Sequence, residues 1–162
     1  MFPKGYQVAQ VCINGHVVTD TIKSLDDVKG EFCETCGKRT ITACQKCKEF
    51  IKGQFYNPDF VFIGTLDPPS FCFSCGNPFP WTESKIRALK ELIDFENNLN
   101  EDEKKTMKEN IDDIISETPR TNVAVVKFKV GLGKVGLEVA KEIRKIIVDI
   151  ASETAKKALF PN

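Results

Sequence analysis

The residues of this chain best suited to chemistry are seven cysteines and one histidine, and they fall into four close pairs. Cys12 stands four positions before His16, and Cys33 with Cys36, Cys44 with Cys47, and Cys72 with Cys75 are each separated by two residues. No cysteine is left over. Spacings this short let one turn of chain present two donor atoms to one ion. Eight soft donors are the complement of two four-coordinate Zn²⁺ ions, each closed by two pairs. That is the donor count of structural zinc, since a catalytic ion keeps one position open for water or substrate. A Cys-x-x-Cys pair taken alone also reads as a redox motif, but four ligand pairs together favour metal.

Pairing in chain order puts Cys12, His16, Cys33 and Cys36 on one ion and Cys44, Cys47, Cys72 and Cys75 on the other. A cross-braced arrangement, first pair with third and second with fourth, is the alternative. Phe32-Cys33-Glu34-Thr35-Cys36-Gly37 recurs as Phe71-Cys72-Phe73-Ser74-Cys75-Gly76, which suggests two copies of one unit and favours the sequential order. A glycine directly after the second cysteine lets the backbone turn and aim N–H groups at the thiolates, whose negative charge needs such donors.

The elements that must position these ligands are short. Tyr6–Val11 and Val17–Thr19 are β-rich arms flanking Asn14-Gly15, a hairpin turn that would hold Cys12 and His16 at its tip. Thr40-Ile41-Thr42 reads as a strand leading into Cys44. Between Cys47 and Cys72 lies a loop rich in aromatics, Phe55, Tyr56, Phe60 and Phe62. Such rings can stack on nucleic-acid bases, but few cations are interleaved with them, so they are expected to fill the core of a small β unit. Ribbons of this size bury too little apolar surface to fold alone, and a structural zinc ion supplies on the order of 10–16 kcal/mol of apparent binding energy in model peptides.

At Asn77-Pro78-Phe79-Pro80-Trp81-Thr82 the pattern becomes helical. Thr82 suits an N-cap, and Trp81 can close on Ile86 as a hydrophobic staple. A helix is expected over about 83–97, with Ile86, Leu89 and Ile93 on one face. Asn100 followed by Glu103 is a capping box opening a second helix over about 101–117. Pro119 suits the first position of a third, over about 119–159. From Val125 to Ile150, Val125, Phe128, Leu132, Val135, Val139, Ile143, Ile146, Ile147 and Ile150 share a stripe about 120° wide. A thinner set, Val126, Val130, Leu137 and Val148, falls on a neighbouring face, more than two short helices would cover, which predicts self-association or a partner helix.

Gly131-Leu132-Gly133-Lys134-Val135-Gly136 fits the dinucleotide-binding pattern G-x-G-x-x-G. Against that reading, no upstream βα units exist to build the sheet, and the apolar stripe runs through the glycines at helical phase. No cofactor is expected there, and the glycines read as points of close helix approach.

The chain of 162 residues has zero formal net charge, distributed unevenly. Residues 82–119 carry eleven acidic and six basic side chains, and residues 120–162 carry nine basic and four acidic. Complementary solvated faces are the expected meaning. No run is long and apolar enough to span a membrane, no secretory core follows Met1, and dense Cys-x-x-Cys pairs are typical of a reducing cytosol. The expected location is cytoplasmic.

Gln10-Val11-Cys12-Ile13-Asn14-Gly15-His16, the Phe-Cys-x-x-Cys-Gly repeats, Ile41-Thr42-Ala43-Cys44 and Pro78-Phe79-Pro80-Trp81-Thr82 resemble a bacterial family of uncharacterised proteins with a double zinc ribbon and a helical C-terminal part. The resemblance covers residues 6–82. It implies zinc and a bacterial cytosolic setting and brings no activity with it.

The expected fold class is α+β. Residues 1–81 would form a small β-rich tandem zinc-ribbon domain, and residues 82–162 an all-α domain made of a helical hairpin plus a long amphipathic helix. Every thiol and the one imidazole are committed to zinc, and no catalytic residue or nucleophile pattern remains, so no enzymatic activity is expected. The functional expectation is a zinc-binding adaptor that docks a protein partner, or a second copy, through its C-terminal helix. The alternative is a nucleic-acid-binding module using Lys46, Lys48 and Lys52, or Lys127, Lys129, Lys134, Lys141, Arg144 and Lys145.

Overall fold

A computed structural model describes residues 5–60, 64 and 66–161. The chain divides between Ser84 and Lys85 into two compact units.

The first unit is organised on strand β1 (Tyr6–Cys12), which pairs antiparallel with β2 (Val17–Ile22) along one edge. Its other edge is shared by two short strands. β3 (Thr40–Ile41) pairs with Val11 and Cys12, and β4 (Lys52–Phe55) pairs with Tyr6 and Val8. Cys12 ends β1, Cys36 precedes and Cys44 follows β3, and the Cys72–Cys75 pair lies after β4, closed by a separate Phe71–Pro78 bridge. With neighbours on both edges, β1 is buried from Gln7 to Cys12. Gly53 permits the crowding: a Cβ there would lie 2.2 Å from the carbonyl oxygen of Asp20. Ala9, Val11, Ile51, Phe79 and Trp81 form the core together with Cys44 and Cys72.

The polar groups inside this sheet are satisfied. Gln10 is buried, and its amide donates to the carbonyl oxygens of Lys29 and Gly30 and to Thr40 Oγ1 while accepting the Lys29 N–H. A 3₁₀ turn at Leu25–Asp27 follows β2, closed by a Ser24–Asp27 capping box.

Helix α1 (Pro80–Phe95) starts earlier than the expected residue 83. Pro80 takes the first helical position, where its missing N–H removes no helical bond. Trp81 is therefore inside the first turn. It stacks on Phe79 at 4.7 Å between ring centroids and donates its indole N–H to the Pro69 carbonyl oxygen at 2.9 Å.

The second unit continues with α2 (Glu101–Glu109), α3 (Ile111–Ile115), α4 (Thr121–Leu132), α5 (Leu137–Ile150) and α6 (Glu153–Leu159). The Asn100–Glu103 capping box is formed, with both reciprocal bonds present. The helix expected over 101–117 is interrupted at Asn110, whose side chain donates back to the Thr106 carbonyl oxygen. The long helix expected over 119–159 is three helices. Its first break is a turn in which Lys134 and Val135 donate to Gly131 and Leu132, ending at an extended Gly136. Its second is Ser152, which leaves helical geometry and caps α6 by accepting the Ala155 N–H.

The apolar stripe survives these breaks because the helices fold back on one core. Val125, Phe128, Ile143, Ile147 and Ile150 are buried with Leu89, Ile93, Met107, Ile111 and Ile114. At Gly131, α4 comes close to α2, since a Cβ there would lie 2.3 Å from Met107 Sδ. The G-x-G-x-x-G run thus lies at the end of a helix and in the turn after it, with no strand before it.

Candidate metal centres

Three of the four ligand pairs adopt one backbone form. Cys33, Cys44 and Cys72 each accept, through the carbonyl oxygen, the N–H of the residue four places on, Gly37, Lys48 and Gly76, at 2.7, 3.0 and 2.9 Å. Each of these cysteines also donates its N–H at 2.8 Å to the residue five places on, Lys38, Glu49 and Asn77. Gly37 and Gly76 have φ of 68° and 70°, and Lys48 has φ of 67°. The Cys44–Cys47 pair is therefore a third copy of the unit that the sequence displays only twice, hidden because Ala43 replaces the leading phenylalanine and Lys48 the trailing glycine. The shared Cys-x-x-Cys spacing was the one available signal. Cys12 and His16 sit instead at the β1–β2 hairpin, closed by the Cys12 N–H on the His16 carbonyl oxygen at 2.9 Å.

The four pairs gather in chain order. Cys12, His16, Cys33 and Cys36 form one cluster and Cys44, Cys47, Cys72 and Cys75 the other, with the donor atoms of each cluster all within 4.8 Å of one another. In the first, Cys12 and Cys36 Sγ are 3.7 Å apart, and His16 Nδ1 is 3.4 Å from Cys12 Sγ and 3.7 Å from Cys33 Sγ. In the second, Cys44 and Cys75 Sγ are 3.8 Å apart and Cys47 and Cys72 Sγ 3.6 Å. Tetrahedral Zn²⁺ with Zn–S of about 2.3 Å and Zn–N of about 2.0 Å requires neighbouring donors about 3.5–3.8 Å apart. The donor sets fit zinc, and His16 offers Nδ1. All seven thiols are free, at separations far beyond a disulfide.

The first cysteine of every pair is buried, while His16, Cys47 and Cys75 are exposed and Cys36 is half-buried. Each ion would thus have one side in the protein core and the other near solvent. Around the sulfurs, the His16 N–H donates to Cys12, the Asn14 amide to Cys36 and the Asn77 amide to Cys75. These donors polarise the clusters. Burial raises the Cys33 thiol, but N–H groups of Cys36 and Thr35, with hydrogen bonds from the Cys36 and Cys12 thiols, outweigh it and hold it at about 6. The Asn77 backbone N–H and side-chain amide bring Cys75 down to about 6. Burial pushes Cys12 up against N–H groups of His16 and Asn14. At Cys47 a lowering N–H of Glu49 is overcome by burial and three neighbouring thiols, and the group lies at about 11. Zn²⁺ takes cysteine as thiolate, so binding releases the thiol protons of each cluster.

The aromatic loop departs from its expected role. Phe55, Tyr56 and Phe60 are exposed rather than core residues, and Phe62 lies outside the described residues. Of these described rings only Phe55 lies on a strand, as the last residue of β4, and Tyr56 and Phe60 lie beyond it. Several basic side chains of the helical unit have an oxygen acceptor of their own: Lys134 pairs with Glu103, Lys141 with Glu138 and Lys145 with Glu142, and Lys129 donates to the Ala158 carbonyl oxygen.

Two closed Cys/His clusters of structural type on a small sheet, followed by a run of helices, define a zinc-associated α+β protein. The chain belongs to a bacterial family described as an uncharacterized protein conserved in bacteria (DUF2321), whose match spans residues 5–159. No curated protein and no solved structure matches the chain. Among the described residues, no helix is long and apolar enough to cross a membrane.

Proposed function

We propose that this protein is a non-enzymatic adaptor in which zinc maintains the first unit and the helical unit docks a protein, either a second copy or a different partner. The observation that carries this reading is a stripe on α4. Val123, Val126 and Val130, at helical spacing, are 51, 63 and 62% exposed, on a helix that contains no acidic residue. Leu137 and Val148 on α5 are exposed as well. An apolar stripe costs solubility unless something covers it. The absence of any enzymatic role belongs to the same proposal: all eight soft donors are gathered into closed sets, which leaves no open metal position and no free thiol nucleophile among the described residues.

Light scattering over a concentration series, run with the double variant Val126→Glu, Val130→Glu alongside, tests self-association. A mass above that of one chain, abolished in the variant, supports it. A single-chain mass throughout excludes self-association, and affinity purification from the native cell then decides the docking reading. A partner recovered by the natural chain and lost by the double variant supports it, and recovery of the same proteins by both overturns it.

A further inference from the structure

The first unit carries a surface that neither the metal centres nor the docking proposal uses. Lys52 Nζ lies over the ring of Phe73 at 4.0 Å and over the ring of Tyr6 at 4.9 Å, and Tyr6 meets Phe55 edge-on at 5.1 Å between centroids. Phe73, Lys52, Tyr6 and Phe55 thus form one continuous ladder of ring, cation, ring and ring. The ladder joins residues from the last ligand pair and from both β1 and β4. Phe55 is 58%, Phe73 53% and Tyr6 39% exposed. Beside it, Lys23 Nζ lies 4.6 Å from the centre of the exposed Tyr56 ring, at an open cavity of about 470 Å³ that Phe55 also lines.

Rings left this exposed on a sheet whose core is already filled do not serve packing. A cation held over two ring faces keeps those rings in fixed orientations and places positive charge among π surfaces. Neither Lys52 nor Lys23 has a carboxylate partner among the described residues. The nearby acids are turned to other donors: Asp27 accepts the N–H groups of Lys23 and Ser24, and Asp20 accepts from the Gln54 amide and the Leu66 N–H.

From this arrangement we propose that the ladder is a binding platform for single-stranded nucleic acid, in which bases stack on Phe55 and Phe73 and phosphates approach Lys52 and Lys23. Exposed aromatics give a sequence-tolerant surface for unpaired bases, and unpaired lysines among them give the complement to a phosphate backbone. The helical unit is a poorer candidate because Lys129, Lys134, Lys141 and Lys145 already face a carboxylate or carbonyl oxygen.

Fluorescence anisotropy of a short, labelled, mixed-sequence single-stranded DNA or RNA, titrated with the full zinc-loaded chain at low salt, tests this. Binding is expected, stronger than to a duplex of the same sequence. Phe55→Ala and Phe73→Ala should each weaken it by about tenfold, and Phe55→Tyr, which keeps the π face, should restore it. Lys52→Gln should reduce the slope of log affinity against log salt by about 0.7. Lys141→Gln with Lys145→Gln should change nothing. All variants must retain two zinc ions per chain, which shows that the first unit is intact. Absence of single-strand binding at low salt, equal affinity for duplex, or unchanged affinity in both alanine variants would overturn the proposal, as would a proline-rich peptide binding where the oligonucleotide does not. The light-scattering result has no bearing on any of these outcomes.

Discussion

The carboxylate of Glu96 accepts the backbone N–H of Gly136, forty positions later, at 2.8 Å, while its second oxygen accepts the Asn98 N–H at 2.8 Å. Gly136 is the N-cap residue of α5, so a buried negative charge at the end of α1 meets the positive end of a later helix. This contact gives the last glycine of the G-x-G-x-x-G run a structural role, because its N–H is spent on a carboxylate of the chain itself.

That contact sets a pH dependence. The Asn98 N–H, and then the Gly136 N–H, hold the Glu96 carboxyl below the usual glutamate range. A lowered folded pKa means that the stabilisation is fully present above the ordinary glutamate pKa and is lost as pH falls through the lower folded value. Thermal unfolding followed by helical circular dichroism should show this loss in the natural chain. Glu96→Gln should be less stable at neutral pH and show a shallower acid slope; parallel slopes would mean that Glu96 does not contribute.

The glycines of the same run should differ in their tolerance. Gly131→Ala would drive a Cβ into the buried Met107 side chain, and overpacking of about 1–3 kcal/mol outweighs a helix-propensity gain of about 1 kcal/mol, so a net loss of about 1 kcal/mol is expected. At Gly136 a Cβ would meet Glu96 Oε2 at an ordinary 3.5 Å and the backbone has negative φ, so Gly136→Ala should be nearly neutral. Urea titration of the two variants separates this packing account from a cofactor turn, which would need both glycines.

How far such features can be read from sequence depends on the range of the interaction that creates them. The ligand clusters were legible because pair spacing and donor count are local and nearly complete in themselves. The Asn100–Glu103 capping box was legible for the same reason. The breaks at Gly136 and Ser152 were not, because a continuous apolar stripe is equally compatible with one long helix and with three that fold back. What selects the second is long-range: Glu96 takes the Gly136 N–H, and the Ile114 carbonyl oxygen takes the Ser152 N–H at 3.0 Å. The Cys44–Cys47 knuckle escaped as a repeat because its left-handed residue is Lys48, and a lysine does not announce positive φ.

The capping box offers a local test of the second unit. Asn100 Oδ1 accepts the Glu103 N–H at 2.9 Å and Glu103 Oε2 accepts the Asn100 N–H at 3.0 Å. Asn100→Ala removes the side-chain half and should cost about 1 kcal/mol in a urea titration. Asn100→Asp should recover most of it, since an aspartate accepts the same bond; a variant no better than alanine would show that capping is not the source.

Metal removal should act first on Trp81. Its ring is buried in one cluster with Cys44 and Cys72, so the fluorophore sits in a core whose walls are themselves zinc ligands. Two zinc ions per chain are expected by native mass spectrometry, and Cys33→Ser or Cys72→Ser should each remove one of them. Chelation should shift Trp81 emission to the red, because a unit this small lacks the buried apolar area to hold its core closed without metal. The helical circular dichroism should fall much less, since Leu89, Phe128, Ile143 and Ile147 form a core without any metal ligand. Acid should release zinc in the same way, because the thiols compete with protons for the ion. A chelated protein with unchanged Trp81 emission would show that the sheet closes its core without metal, and the two clusters would then need a role other than holding the fold.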